Sequence, residues 1–142
     1  MASTTALEES FDWIRNQLAG EAGVSFAKRT VPLTTGGQHT FNAVAADGSL
    51  IATITNSSGA TSGRKKPVGK LHSAINYIYF LSLVSAPRRM LIVTNPEFDR
   101  YLRAELAGAL APGIEVTLIE LPAELSQRVG QVTRDASDEM TR

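Results

Sequence analysis

Hydrophobic residues near the N-terminus recur with the period of a helix. Four apolar residues stand three or four positions apart: Leu7, Phe11, Ile14 and Leu18. This spacing places them on one face of an amphipathic helix, with most of the charged residues between them on the other face. Glycines at 20 and 23 interrupt the pattern. We therefore predict a first helix that begins near residue 5 and ends in this segment.

The next part of the chain has the pattern of β-strands. Residues 24–33 are rich in β-forming side chains and lead into a Thr-Thr-Gly-Gly segment typical of a turn. Two further short strands, over 41–45 and 50–55, flank Asp47-Gly48. A dipeptide of this kind supplies the positive φ that a tight hairpin turn requires. We predict a β-hairpin in which Asp47 forms the turn.

Side chains alternate between the two faces along each strand of this hairpin. On the first strand, the alternation places Phe41 and Ala43 on one face and Asn42 on the other. On the second strand, Thr53 and Thr55 share a face.

The second half of the chain alternates between helical and strand patterns. A helix over about 70–85 is apolar on most sides, which predicts burial against a sheet on one side and further protein, such as a second subunit, on the other. The short apolar run 90–94 is typical of a central strand. An amphipathic helix then precedes a last strand over 114–121.

The predicted elements follow the order α-β-β-β-α-β-α-β. This order indicates an α/β fold in which a mixed β-sheet is flanked by helices. The chain of 142 residues is long enough for one hydrophobic core. We expect a single domain over residues 1–125 and a polar C-terminal tail over 126–142 that frays.

Composition excludes several kinds of chemistry. The chain contains no cysteine, so disulfides, zinc–thiolate sites and thiol nucleophiles are ruled out. The first residues lack the basic and apolar segments of a secretion signal, and no stretch reaches the roughly 18 apolar residues of a membrane span. We expect a soluble, cytoplasmic protein without a membrane partner.

Charge is balanced overall but unevenly distributed. The chain has 14 basic and 14 acidic residues. Between Gly48 and Pro96 there are six bases and no acid. This basic block is a candidate anion-binding surface, because the local field rather than the total charge attracts a polyanion. The alternative is a solvated loop that is basic without binding anything.

Four of the six bases surround a Ser- and Gly-rich loop and are candidate phosphate-binding or DNA-binding residues: Arg64, Lys65, Lys66 and Lys70. Lys70 stands at a predicted helix start, where open backbone N–H groups and the helix dipole favour a phosphate. The segment 63–71 differs from a nucleotide-binding P-loop. Its two glycines are one residue too far apart, and Leu71 replaces the hydroxyl residue of that motif. We do not expect a nucleotide-hydrolysing site.

Histidines and aromatic residues give weaker signals. His39 and His72 could meet as a metal pair or an acid–base couple, but no spacing indicates this and structural roles are more common. Trp13, Tyr77 and Tyr79 could stack on the bases of single-stranded nucleic acid. Their positions in or beside apolar helix faces favour packing in the core or between subunits.

The element order, with a hairpin that leads into a Lys-rich loop and an apolar helix, resembles the restriction-endonuclease-like, or PD-(D/E)XK, superfamily over about residues 5–94. In that superfamily, an Asp early in the hairpin and an acid-x-Lys on the next strand bind a divalent metal and position the attacking water. Alignment on the hairpin turn places Asn42, Thr53 and Thr55 at these positions. All three differ from the superfamily pattern.

The resemblance therefore implies a catalytically degenerate nuclease fold, a pseudo-nuclease that binds DNA or a protein partner without cleavage and without a cofactor. Neutral oxygens are poor substitutes for the carboxylates that hold Mg²⁺. One alternative is a Mg²⁺-dependent endonuclease with a rearranged active site built from Glu8, Glu9 or Asp12 together with Asp47. Another is a structural or assembly subunit that forms a homo-oligomer through the apolar helix 70–85.

Overall fold

A computed structural model describes residues 2–59 and 65–141, with side chains described for 5–59 and 65–132. It contains four helices and five strands in this described part, in chain order: α1 (Ala2–Ala22), β1 (Phe26–Pro32), β2 (Gln38–Ala45), β3 (Leu50–Thr55), α2 (Val68–Leu81), β4 (Arg88–Val93), α3 (Pro96–Glu105), β5 (Ile114–Leu118) and α4 (Ala123–Thr141). None of these helices combines the length and apolar character that crossing a membrane requires.

The strands form one mixed sheet in the spatial order β1-β2-β3-β4-β5. β1, β2 and β3 pair antiparallel, as expected of strands joined by short turns. β3, β4 and β5 pair parallel, and the helices α2 and α3 make the two crossovers. The predicted α/β class, with a mixed sheet flanked by helices, is confirmed.

The sheet carries a hydrophobic core on each face. On one face, α1 and α4 pack against alternate residues of β3 and β4, including Ile54 and Ile92. On the other face, α2 and α3 pack against the intervening residues, including Ile51 and Leu91. Every residue of β3 is buried, as expected of a central strand covered on both sides. β3 therefore gives the hairpin a rigid base.

The C-terminal segment differs from the prediction of a polar, fraying tail. It belongs to α4, which packs against α1. Leu125 and Val129 are buried in the same core as α1, and Arg128 Nη2 donates to Glu9 Oε2 at 2.6 Å. The polar composition of the segment conceals an apolar residue at every fourth position from Leu121 to Val129. This spacing forms the stripe that α1 covers.

α2 covers the sheet with one face and leaves part of another face open. Its ends, Val68 and Leu81, lie two and four residues before the predicted ends. The predicted C-terminal end lies too far along the chain because the apolar pattern continues to Val84, which is in the following loop but is buried in the same core. Three apolar residues on the open face have relative exposures of 51%, 38% and 57%, and we call them the α2 stripe: Val68, Ile75 and Tyr79.

Candidate functional site

The two strands of the β2–β3 hairpin pair only near the turn. Their register joins Ala43 to Ala52 and Val44 to Ile51 and extends no further towards the start of β2. At the turn, the Ser49 backbone N–H and hydroxyl donate to Asp47 Oδ1 at 3.0 and 2.6 Å. These hydrogen bonds lower the pKa of Asp47. Asp47 thus has the local geometry of a turn former.

A β-bulge interrupts β2 immediately before this paired region. On β1, one residue, Lys28, separates the positions that pair with Val44 and Phe41, whereas two residues separate them on β2. Asn42 and Ala43 therefore lie opposite Lys28. An extra residue reverses the alternation of side chains, so Phe41 packs in the core of α2 and α3 while Ala43 packs in that of α1 and α4. The prediction that Phe41 and Ala43 share a face is wrong for this reason.

The Asn42 side chain joins the two strands where their backbones separate. Its Oδ1 accepts from the Ile54 N–H at 2.7 Å, and its Nδ2 donates to the Ile54 carbonyl at 3.1 Å. In a regular ladder the backbone of Phe41 would lie opposite Ile54. The carboxamide takes the place of that backbone, because it offers one donor and one acceptor as a peptide group does.

Arg15 of α1 binds the backbone of Asn42. Its Nε donates to the Asn42 carbonyl at 2.7 Å, and its Nη1 donates to Asp12 Oδ1 at 2.7 Å. The Arg15 side chain is only 12% exposed, so its stem is packed and its charge lies close to the sheet. Asn42 therefore has both its side chain and its backbone carbonyl fixed by long-range contacts.

The separation of β2 from β3 opens a cleft of about 450 Å³ between α1, α2 and the sheet. We call it the hairpin cleft, and it is lined by ten residues: Glu8, Phe11, Arg15, Lys28, His39, Thr40, Asn42, Thr53, Ile54 and Tyr77. Two of its charged side chains are basic, Arg15 and Lys28, and one is acidic, Glu8. Neutral hydrogen-bonding groups and three rings complete the lining. The cleft can thus offer positive charge and flat apolar surface to one ligand.

One of these rings is held rigidly. His39 stacks on Phe80 of α2, with ring centroids 3.9 Å apart and an angle of 5° between the planes. A second ring, Phe41, forms a T-shaped contact with His39 at a centroid distance of 4.9 Å and an interplanar angle of 71°. His39 is half-buried between them. It lies in this aromatic cluster at the cleft, whereas His72 is exposed on α2.

The two threonines that align with the superfamily's acid-x-Lys have different surroundings. Thr53 lines the cleft and is 9% exposed. Thr55 is 7% exposed, and its Oγ1 accepts from the Ser57 N–H at 3.3 Å and contacts Ser57 Oγ at 3.0 Å. The Thr55 hydroxyl therefore begins the turn that follows β3. Only Thr53 and Asn42, of the three aligned residues, face the cleft.

The loop after β3 is bound to neighbouring elements by side chains. Asn56 Nδ2 donates to Ser10 Oγ of α1 at 2.8 Å, and Asn56 Oδ1 accepts from Thr94 Oγ1 at 2.7 Å. Lys70 Nζ lies 3.3 Å from the Ser58 carbonyl oxygen and 3.4 Å from its hydroxyl. These bonds fix the start of the loop between α1, β4 and the first turn of α2.

The five described bases of the basic block do not form one surface. Lys66 pairs with Glu105 at 2.5 Å, Lys65 is exposed, and Arg64 lies outside the described residues. Lys70 and these neighbours precede or begin α2, whereas Arg88 pairs in register with Leu50 at the opposite end of the sheet. The two groups are separated by the length of α2, about 21 Å for its 14 residues.

At that opposite end, the bases are engaged within the fold. Arg88 Nε and Nη2 donate to the Glu115 carboxylate at 3.1 and 3.2 Å, which raises the pKa of Arg88. Arg89 Nη1 and Nη2 lie 3.4 and 3.3 Å from the Leu81 and Pro112 carbonyls. A positive charge at the C-terminal end of α2 stabilises that helix. These two arginines therefore have structural roles.

The acids proposed for a rearranged metal site are dispersed. Glu8 lines the cleft, whereas Glu9 pairs with Arg128 and Asp12 with Arg15. Asp47 lies in the hairpin turn, outside the cleft lining. Within the described ranges, no three His, Asp or Glu side chains are grouped so that they could hold a metal ion.

Two of the charged residues in the cleft were not among the sequence candidates. Lys28 sits on a strand with no motif around it, and Arg15 lies on the polar face of its helix. Both reach the cleft because of the bulge at Asn42 and the position of α1, and neither feature has a local sequence signal.

Comparison with known protein families, curated proteins and solved structures finds no match to this chain.

Proposed function

We propose that this domain binds nucleic acid in the hairpin cleft and does not cleave it, as a catalytically degenerate member of the restriction-endonuclease-like superfamily. The observation that carries the proposal is the double hydrogen bond of Asn42 to the Ile54 backbone. This bond occupies the position that would hold a metal-binding acid in an active member. The cleft beside it keeps its basic groups.

Loss of cleavage follows from the chemistry of the three aligned positions. Magnesium is held in such sites by carboxylates, phosphates and water. Asn42 offers a neutral oxygen that already accepts from the Ile54 N–H, and Thr53 offers a neutral hydroxyl. Thr55 has no positive charge with which to stabilise an anionic transition state. A carboxylate at position 42 could not make both bonds, because it has no N–H to donate to the Ile54 carbonyl.

Binding is supported by the charges around the cleft. Lys28 and Arg15 lie in its lining, and phosphate contacts supply most of the affinity of proteins for nucleic acid. Lys70 is seven residues from Tyr77 on α2, so the two share one helix face about 10 Å apart. A bound strand that enters the cleft beside Tyr77 can therefore pass the start of α2. Lys65 and Lys66, two of the candidate phosphate-binding residues from the sequence, stand just before this start of α2 in the chain.

Fluorescence anisotropy with a labelled duplex that carries a single-stranded tail tests the binding. We expect binding that weakens as salt increases. Lys28→Ala should lower the slope of log K against log salt by about one, because one phosphate contact is lost. Arg29→Ala is the matched control. It also removes one positive charge, from the adjacent position of β1, but Arg29 is not in the cleft lining. No binding at low salt, or equal effects of both variants, would contradict the proposal.

The absence of cleavage is tested separately with supercoiled plasmid, Mg²⁺ and Mn²⁺. We expect no nicking above the level of a matched Glu8→Gln preparation. Glu8 is the relevant variant because it is the one acid in the cleft lining. Metal-dependent nicking that Glu8→Gln abolishes would instead establish the rearranged endonuclease.

A second candidate function, a subunit that assembles through α2, is favoured by the α2 stripe. Large apolar side chains that are 38–57% exposed on one helix face are typical of a contact surface. If assembly is the function, light scattering will show a dimer that Ile75→Glu converts to a monomer. Asn76→Glu, the next residue on the same helix, is the control and should leave the dimer intact.

A further inference from the structure

We infer that the hairpin cleft binds single-stranded nucleic acid in preference to duplex, an inference that rests on the proposed function. The cleft combines three rings with the two basic residues: Phe11, His39 and Tyr77 with Arg15 and Lys28. Stacking of bases on aromatic side chains along a basic groove is the general mode of single-strand binding. In a duplex the flat faces of the bases are already stacked on each other.

The shape of the cleft supports the same preference. The cleft of about 450 Å³ lies at the gap between β2 and β3, with α1 on one face of the sheet and Tyr77 of α2 on the other. A protein that reads duplex DNA inserts a helix or a strand pair into a groove. Here the three rings and Arg15 are half-buried in the lining while Lys28 is exposed, so a base that stacks on the rings must enter the protein. An unpaired nucleotide can do so, whereas a base pair within a helix cannot.

Two of the rings are also positioned by packing before a base binds. His39 is fixed by Phe80 and Phe41 at centroid distances of 3.9 and 4.9 Å, and Tyr77 is half-buried in the packed face of α2. Ordered rings lose little conformational entropy when a ligand binds. Lys28, opposite the bulge, lies in the same lining and supplies charge for the phosphate of the stacked nucleotide.

The test compares three labelled probes of equal length by anisotropy: a 15-nucleotide oligo(dT), the corresponding oligo(rU) and a 15-base-pair duplex. We expect at least one of the single strands to bind at least tenfold more tightly than the duplex. The stronger of the two identifies the preferred kind of single strand. Tyr77→Leu should weaken single-strand binding by about tenfold, whereas Tyr79→Leu, at a tyrosine of the same helix outside the cleft lining, should bind as the wild type does. Circular dichroism confirms that both variants fold.

The outcomes separate this inference from the proposed function. Duplex binding equal to or tighter than single-strand binding, with loss of affinity in Lys28→Ala, would overturn the single-strand preference and leave the proposed function standing. Single-strand binding that Tyr77→Leu leaves unchanged would overturn stacking in the cleft. Failure of all three probes to bind at low salt would overturn both proposals.

Discussion

The two ends of the β2–β3 hairpin are held together in different ways. At the turn end, the backbones pair and Ser49 closes the turn onto Asp47, two residues away. At the open end, the Asn42 side chain bonds to Ile54, twelve residues away, and Arg15 binds the Asn42 carbonyl from a distance of 27 residues in sequence. One end thus depends on local contacts and the other on contacts across the fold.

This difference explains where the chemistry lies. A paired hairpin presents only its side chains, because its backbone groups bind each other. Where the strands separate, backbone groups need other partners, and the space between the strands becomes a cleft. In this protein Asn42 and Arg15 satisfy those groups, so the cleft stays open without unpaired backbone at Asn42 and Ile54. Substitutions at the open end should therefore destabilise the fold more than substitutions at the turn.

Asn42→Asp should have the largest effect. The substitution keeps the shape of the side chain but replaces its N–H donor by an oxygen that faces the Ile54 carbonyl. A half-buried acceptor without a donor should cost about 2 kcal/mol of unfolding free energy, measured by urea denaturation at neutral pH.

The matched control is Asp47→Asn, the converse change at the turn end. Asparagine keeps an acceptor oxygen for the Ser49 N–H and is common in such turns, so the urea midpoint should change little. Equal destabilisation by the two variants would mean that the open end does not depend on the Asn42 carboxamide.

Arg15→Met should have the second-largest effect on the free energy of unfolding. Methionine preserves the apolar stem but removes the Nε–H that binds the Asn42 carbonyl. Loss of a hydrogen bond from a charged donor should cost about 1.5 kcal/mol, again measured by urea denaturation. An Asp12→Asn control removes the charge of Arg15's exposed partner without touching the Asn42 carbonyl. A destabilisation by Asp12→Asn as large as that of Arg15→Met would assign the effect to the ion pair instead.

Ser10→Ala should destabilise the fold by about 1 kcal/mol. Ser10 is fully buried, and its Oγ accepts from Asn56 and donates to the Leu7 carbonyl at 2.6 Å. Its loss leaves the loop after β3 less firmly bound to α1, so amide exchange should accelerate in residues 56–59. Ser73→Ala, on the exposed side of α2, is the control. Unchanged exchange in the loop would contradict the role given to Ser10.

Glu9→Gln should have the smallest effect, outside the hairpin. The hydrogen bond from Arg128 lowers the pKa of Glu9, so this carboxylate stabilises the fold above its unfolded pKa, and the contribution is lost as pH falls through the folded pKa. The wild type should exceed Glu9→Gln slightly in urea midpoint at pH 7, and the difference should shrink as pH falls below the unfolded pKa and vanish once pH lies below the folded pKa. Glu120→Gln provides a control carboxylate. A difference that grows on acidification would contradict this assignment.

The sequence predicted the parts of the fold that local contacts determine. Asp47-Gly48 specified the turn, and the alternating and apolar runs identified β3, β4 and α2. The bulge at Asn42 was not predictable, because it depends on pairing with β1 opposite Lys28. The role of α4 was missed because its apolar residues are sparse among polar ones. At the site, the alignment singled out Asn42 and Thr53 in the cleft lining, whereas Arg15 and Lys28 reach it only through tertiary structure.

Binding in the hairpin cleft is tested most directly by an NMR titration of the ¹⁵N-labelled chain with the oligonucleotide probes. We expect shifts for the Asn42 side-chain amide and for the backbone amides of Arg15, Lys28 and Thr53, with little change near Arg88 and Glu115 at the opposite end of the sheet. Shifts confined to the α2 stripe or to the Arg88 end, with the Asn42 side-chain amide unmoved, would contradict binding in the hairpin cleft.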